Sequence, residues 1–236
     1  MKADLPKRAV RLKPDSYLAV EYCGILNAII KPGLSDGNRR EQMTWFIFAG
    51  AGLFYAAFWS WYVGFGHKMS PAKIERVLTE LKRVELTEEQ HENFRNFFET
   101  DDGKEIVMVN ALHFKKPVLE SQKLFSKYSA AFRDPLIKRA GHPVVMATAA
   151  ARNIENVNCD QADDWSVGAV VRYRSRADFA EIALLFAGSE NHQDKLDAME
   201  KTFAFPASPR FMMGGPRVIV GLVLALGAAL SALAVG

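Results

Sequence analysis

Two long runs without a charged residue constrain the fold of this chain more than any other feature. The first covers residues 43–65 and the second residues 218–236. A helix needs about 20 apolar residues to cross the hydrocarbon core of a bilayer, and both runs have roughly that length. The first run carries Trp45 at one end and Trp59 and Trp61 at the other, as in the aromatic belts of membrane interfaces. The sequence therefore predicts transmembrane helices at residues 43–66 and 217–236.

Two spans place both termini on one side of the bilayer and residues 67–216 on the other. Basic residues flank the first span on both sides, and Arg210 and Arg217 flank the second span on the side of the intervening domain. Because cytoplasmic segments carry an excess of Lys and Arg, this distribution favours a cytoplasmic domain. Gly221, Ala225 and Ala229 recur every four residues, a spacing that lets another helix approach closely. The predicted partners are thus the lipid bilayer and helices of other membrane proteins.

Composition excludes several classes of function. The formal net charge is only +3, and basic residues alternate with acidic ones, so we expect no nucleic-acid partner. Cys23 and Cys159 are the only cysteines and lie far apart, which argues against a disulfide framework or a zinc site. The five histidines lack ligand spacing, and no dinucleotide-binding, phosphate-binding or nucleophile-elbow motif occurs. We therefore predict no metal and no cofactor.

Residues 1–42 read as a polar arm with one short amphipathic helix. The first 13 residues are polar and basic, so we expect no cleavable signal peptide there. Residues 16–30 place their apolar side chains on one helical face. This helix is too short to span a bilayer, which leaves three places for it: the membrane surface, a partner protein, or the chain's own domain.

Residues 67–100 are predicted to form a helical linker. Ser70 precedes Pro71 at the first turn of one helix, and Thr87 with Gln90 forms a capping box that opens a second.

Residues 101–210 carry a repeated pattern of strands and helices. Strands are predicted at 105–114, 144–154, 165–173 and 202–205, and helices at 119–139, 175–186 and 194–201, with Gly141 in the left-handed conformation after the first of these helices. The order β-α-β-β-α-β is that of the ferredoxin-like fold, an α+β fold with helices on one face of an antiparallel sheet. Both faces of the strands are apolar, so we predict a homodimer through the helix-free face.

Three groups of residues in this segment follow a recognisable order: Met108, Asn110, Leu112 and Phe114; Tyr128, Pro135, Arg139 and Gly141; and Trp165, Val171, Arg172, Tyr173, Ser175, Arg176 and Phe179. In these positions residues 101–206 resemble a widespread family of dimeric α+β barrel domains, relatives of the EthD-type and antibiotic-monooxygenase-type barrels. Ala111, His113, His142 and Arg174 depart from the family pattern. The resemblance implies a barrel that binds small molecules. Some related barrels are enzymes that work without a cofactor or with haem.

The candidate site follows from the alternation of side chains along a strand. Met108, Asn110, Leu112 and Phe114 share one face, so an amide there stands among apolar groups. We predict a pocket with Asn110 and Arg172 as its polar wall and Met108, Leu112 and Phe114 as its lining. The alternative is that Asn110 and Arg172 pair with each other or with backbone groups and stabilise the fold.

Three further residues are candidate ligand-binding groups. Tyr128 and Tyr173 can offer hydroxyls to the pocket or simply fill core, and His113 lies on the opposite face from Asn110. Two functions stay open: a membrane-tethered small-molecule barrel, such as a cofactor-free isomerase or oxygenase, and a non-catalytic accessory or assembly subunit of a membrane complex. The sequence leaves open whether the protein is an enzyme.

Overall fold

The computed structural model describes residues 35–66, 68–84, 86–155, 157 and 164–235. Residues 1–34 of the predicted arm, including its short helix at 16–30, lie outside the described residues, as do His67 and Cys159. Residues 36–42, also predicted to belong to the arm, instead form the start of the first long helix.

Seven helices and four strands are found in these described residues. They are α1 (Asp36–Val63), α2 (Pro71–Leu81), α3 (Glu88–Glu99), β1 (Ile106–Phe114), α4 (Val118–Lys138), β2 (His142–Thr148), β3 (Val167–Tyr173), α5 (Arg176–Phe186), α6 (Glu190–Ala198), β4 (Met199–Ala207) and α7 (Pro216–Val235). The predicted α+β class is confirmed.

The four strands form one antiparallel sheet in the order β2-β3-β1-β4. Strand β1 is central, and its Asn110 lies opposite Ala169 of β3 and Ala204 of β4. Side chains of β1 alternate between two faces. Ile106 and Leu112 face the helices, where Ile106 packs with Leu136 of α4 and Leu112 with Ala198 of α6.

Local capping explains where several helices begin. Ser70 Oγ accepts a hydrogen bond from Lys73 N, and Thr87 and Gln90 form the predicted reciprocal capping box. Ser175 Oγ accepts from Asp178 N at the start of α5. Each of these bonds satisfies a backbone N–H group that a helix start leaves unpaired.

Two predicted elements have wrong boundaries. Helix α6 begins at Glu190, because Ser189 caps it by accepting from His192 N, and it ends before Met199, so residues 199–201 belong to β4 and not to a helix. Strand β2 ends at Thr148 and not at residue 154, since its partner β3 begins at Val167, opposite Thr148. A strand cannot continue where no neighbour pairs with it.

The turn after α4 also differs from the prediction. Ala140, not Gly141, adopts the left-handed conformation, with φ of 57°. Gly141 is required for another reason: a Cβ there would lie 2.9 Å from Arg172 O. The glycine therefore permits a close approach of the chain to β3.

The face of the sheet that points away from α4, α5 and α6 is covered by the end of α1 beside Arg172, but elsewhere it is apolar and exposed. Val145, Phe203 and Phe205 lie on it and are 48%, 59% and 44% exposed. They share this face with Val109, because Val145 pairs through Val170 with Val109, and Phe205 pairs with Val109 from the other side. Helices α2 and α3 pack on α5, where Phe97 and Phe98 meet Phe179. They leave the apolar sheet face open.

The described chain forms two compact units. The larger unit consists of residues 54–222. The smaller, outer unit contains the part of α1 up to Leu53 and the part of α7 from Val223. In the outer unit Ala228 is buried. In the larger unit Gly221 of α7 lies against the ring of Tyr55, whose hydroxyl donates to Arg217 O at 3.2 Å. Helices α1 and α7 are both long and apolar enough to cross a membrane.

Candidate functional site

A cavity of about 620 Å³ lies between the helix-bearing face of the sheet and the helices that cover it. Its floor includes Met108, Asn110 and Leu112 of β1. Aromatic side chains dominate the walls: Phe94, Phe97, Phe125, Tyr128, Phe132, Tyr173, Phe179 and Phe186. A cavity of this size and lining is typical of small-molecule sites.

The structure brings together most of the residues that the sequence singled out. Met108, Asn110 and Leu112 line the cavity side by side on β1, with Tyr128 from α4 and Tyr173 from β3. Phe114 has the same orientation on β1, but it packs in the adjoining core against Ala198 and Met199. The alternation along β1 is what places these side chains on one face.

Arg172 lies on the opposite face of the sheet and does not meet Asn110. The register pairs Arg172 with Val107, whereas Asn110 pairs with Ala169. On β3 the cavity is lined by Ala169, Val171 and Tyr173. Because alternate residues of a strand point to opposite faces, Arg172 points away from the cavity. The predicted polar wall of Asn110 and Arg172 therefore does not form.

Arg172 is instead the centre of a buried polar cluster. Its side chain is 0% exposed, and its Nε donates to Glu105 Oε2 at 2.6 Å. Its terminal nitrogens donate to Ala140 O at 2.7 Å and Tyr62 O at 3.1 Å, and its guanidinium carbon lies 3.8 Å from the centre of the Tyr62 ring. Arg217 adds a second ion pair to Glu105 at 2.8 Å. This arrangement matches the structural role considered for Arg172.

Asn110 offers the cavity a hydrogen-bond acceptor. Its amide nitrogen donates to Met108 O at 3.0 Å and to Ala169 O at 3.4 Å. Among the described residues no protein group donates to its side-chain carbonyl oxygen. A ligand hydroxyl or N–H group can therefore bind there.

His113 lies away from the cavity, on the other face of β1 from Asn110. Its ring contacts Ser166 Oγ at 3.3 Å and Glu200 at 3.6 Å. Polar neighbours therefore lie beside both ring nitrogens, near the end of the strand.

Both cavity tyrosines stay protonated at physiological pH. Burial raises the pKa of Tyr128 to about 12, and burial also raises the pKa of Tyr173. A neutral phenol can donate or accept a hydrogen bond but does not act as an anionic base.

Two basic residues of α6, His192 and Lys195, line the cavity and were missed by the sequence reasoning. Lys195 Nζ lies 5.8 Å from the centre of the Tyr128 ring. Burial lowers the pKa of Lys195, and burial together with the Lys195 charge lowers the pKa of His192. The sequence feature that could have revealed these two residues is Ser189. As an N-cap it starts α6 at Glu190, before the predicted start at residue 194, and residues 192 and 195 then lie on one face of the helix.

Metal ligation has no candidate site in the described part of the chain, where no group of three or more His, Cys, Asp or Glu residues is placed to hold an ion.

No protein-family model matches this sequence, and no curated protein sequence does. Among solved structures, a protein of unknown function from Rhodopseudomonas palustris matches with 15% identity, a TM-score of 0.39, and coverage of 55% of this chain and 98% of that chain. A methylated form of the same protein gives 16% identity, a TM-score of 0.40, and coverage of 56% and 96%. A variant of SnoaB, a cofactor-independent oxygenase from Streptomyces nogalater, matches with 12% identity and a TM-score of 0.32. This match covers 47% of this chain and 98% of that chain.

Proposed function

We propose that this protein is a membrane-anchored α+β barrel protein that binds a mostly apolar small molecule. The cavity of about 620 Å³ carries this proposal. Its volume falls within the range of about 300 to 1,000 Å³ that ligand pockets occupy, and its walls are largely aromatic and aliphatic. A few polar groups, among them Asn110 and Tyr128, break this apolar surface and can orient a ligand.

The two apolar helices support anchoring in a membrane. In the most apolar 18-residue stretch of each helix, 6% of the residues are buried within the protein. Large side chains such as Phe54, Leu226 and Leu233 are exposed, which favours a lipid environment for these helices over the core of a soluble domain. Bilayer lipid would cover them. An anchored barrel is well placed to take up apolar molecules that partition into the bilayer.

The sheet order supports a ferredoxin-like barrel that is completed by a second copy. The order β2-β3-β1-β4, with helical connections after β1 and β3, is the one expected of that fold. The face that points away from α4, α5 and α6 exposes Val145, Phe203 and Phe205. A second protomer packing on this face would remove a continuous apolar patch from water, which favours a homodimer.

We place the domain in the cytoplasm because Arg210 and Arg217 flank the second span on the domain side. Protease added to right-side-out vesicles should then leave the domain intact. Digestion of the domain in sealed vesicles would refute this orientation.

Filling the cavity tests the binding function. Ala183 lines the cavity on α5, so Ala183→Phe should occupy the ligand's space. Ala130 of α4 is exposed to solvent, and Ala130→Phe adds the same ring outside the cavity. Wild type and Ala130→Phe, reconstituted in lipid nanodiscs, should bind the fluorescent probe 9-anthracenemethanol saturably, whereas Ala183→Phe should show only its partition into lipid. Identical titrations for all three proteins would refute a ligand-binding cavity.

A non-catalytic accessory subunit is the second candidate function. Ala225 is exposed on α7, and the backbone beside Gly227 has open space around it. Such small residues let a helix of another membrane protein approach closely, although Gly221 already packs on the chain's own Tyr55. A stoichiometric partner that purifies with wild type and is lost in Ala225→Leu would favour this function. A cavity that fails the probe titration would favour it as well.

A further inference from the structure

The charged groups around the cavity all have the same sign. Arg133 and Lys195 line it, together with the titratable His192. None of the described residues that line the cavity is an aspartate or a glutamate. A cleft whose charged groups are all basic attracts negative charge.

Lys195 is the basic group held inside the apolar wall. Its ammonium lies over the face of the Tyr128 ring, and no carboxylate in the described part of the chain pairs with it. The nearby acids of α6 are engaged elsewhere, since Asp194 pairs with Lys127 at 2.9 Å and Asp197 accepts from Gln193 Nε2 at 2.9 Å. Arg133, by contrast, is largely exposed, and its Nε lies 3.8 Å from Oδ1 of Asp134.

An ammonium in this position is partly desolvated and has no counter-ion among the described residues. Burial lowers the pKa of Lys195, which shows that desolvation of its charge is not offset by a counter-ion. A bound anion would supply that counter-ion through a charge-assisted hydrogen bond. One ammonium matches one negative charge, as on a carboxylate.

We infer that the ligand of this cavity is an apolar carboxylate whose anionic group pairs with Lys195 while its hydrocarbon body lies among the aromatic walls. This inference rests on the proposed binding function and specifies its ligand class. Met108 and Leu112 contact the apolar body from the sheet, and Asn110 offers an acceptor for a further hydroxyl or N–H group of the ligand.

Two probes that differ in one group test the role of Lys195. Anthracene-9-carboxylate carries the anion, and 9-anthracenemethanol has the same ring system without it. Each is titrated by fluorescence into the full-length protein in nanodiscs of zwitterionic lipid. We expect wild type to bind the carboxylate more tightly than the alcohol, and Lys195→Met to weaken carboxylate binding at least tenfold while alcohol binding stays unchanged.

Two further variants serve as controls. Lys195→Arg keeps the positive charge and should retain the preference for the carboxylate. Lys127→Met removes the lysine that already pairs with Asp194, and it should bind both probes as wild type does. If Lys195→Met does not fold, Lys195→Gln makes the same comparison.

The outcomes distinguish a failure of the inferred role of Lys195 from a failure of the proposed binding function. Equal carboxylate binding by wild type and Lys195→Met, or a wild-type preference for the alcohol, overturns the role of Lys195 and leaves the binding function intact. Absence of saturable binding of either probe to wild type overturns both.

Discussion

Replacing Arg172 with methionine separates a structural role from a ligand-binding role for this residue. Methionine keeps much of the side-chain bulk and removes the guanidinium. The substitution deletes the 2.6 Å ion pair with Glu105 and the hydrogen bonds to Ala140 O and Tyr62 O. None of these partners belongs to the residues that line the cavity.

The expected loss of stability follows from what remains unpaired. A buried acceptor that loses its donor costs about 1 to 3 kcal/mol, and two backbone carbonyls lose theirs. Breaking a buried ion pair costs about 3 to 5 kcal/mol when the other charge is stranded. Here Glu105 is 21% exposed and keeps Arg217 at 2.8 Å, so that part of the loss is smaller. We expect the free energy of unfolding to fall by about 3 to 6 kcal/mol.

Thermal unfolding of the full-length protein in mild detergent measures this change. For a chain of this size about 2 to 4 °C is lost per kcal/mol, so Arg172→Met should melt about 6 to 24 °C below wild type. Arg83→Met is the matched control, because Arg83 is 75% exposed and its ion pair in the described part of the chain is with Glu80, three residues away. Exposed pairs of this kind contribute about 0 to 1 kcal/mol, so the control should melt close to wild type.

An Arg172→Met protein that melts like wild type but no longer binds the cavity probes would refute this reasoning. Arg172 would then act on the ligand, and the separation of the two sheet faces would be wrong. An equal loss in Arg83→Met would show that the measurement reports a general effect of removing charge.

Three further predictions test other features. Gly141→Ala should lower the free energy of unfolding by about 1 to 3 kcal/mol, because the added Cβ would crowd Arg172 O. Gly168→Ala is the control, since a Cβ there has open space and should leave the stability unchanged. Equal melting temperatures of the two variants would contradict this prediction. Lys195→Met should raise the melting temperature at pH 7, because the pKa of Lys195 is lower in the folded than in the unfolded protein, so its charge disfavours folding. The gain should shrink as the pH rises to 10.5, where wild-type Lys195 loses its charge on folding more easily. A gain that stays constant over this pH range would contradict the prediction. Phe203→Asp should convert a dimer into a monomer in native mass spectrometry, and a monomeric wild type would refute the proposed interface.

Features set by neighbouring residues were predictable from the sequence. Ser70 and Thr87 cap their helices through bonds that reach only three residues along the chain. The apolar side of β1 follows from alternation, which placed Met108, Asn110 and Leu112 on one surface. Local patterns of this kind need no knowledge of the rest of the fold.

Features set by contacts between residues far apart in the chain could not be predicted from the sequence. Whether Arg172 shares a face with Asn110 depends on the register between β1 and β3, which the pattern of either strand alone does not state. Lys195 lies in a polar segment that reads as a solvated helix, and only the packing of α6 beside α4 brings it to the Tyr128 ring. The end of β2 at Thr148 likewise depends on where its partner begins.

The cluster around Glu105 also has a consequence for the order of events during synthesis. Glu105 precedes the central strand, yet its second partner, Arg217, is made 112 residues later at the start of α7. Arg172 in turn reaches back 110 residues to Tyr62 at the end of α1. The four strands are therefore synthesised before Glu105 can gain its second ion pair, which waits for Arg217. The last contact of the cluster thus ties the start of the second apolar helix to a sheet whose strands are all already present.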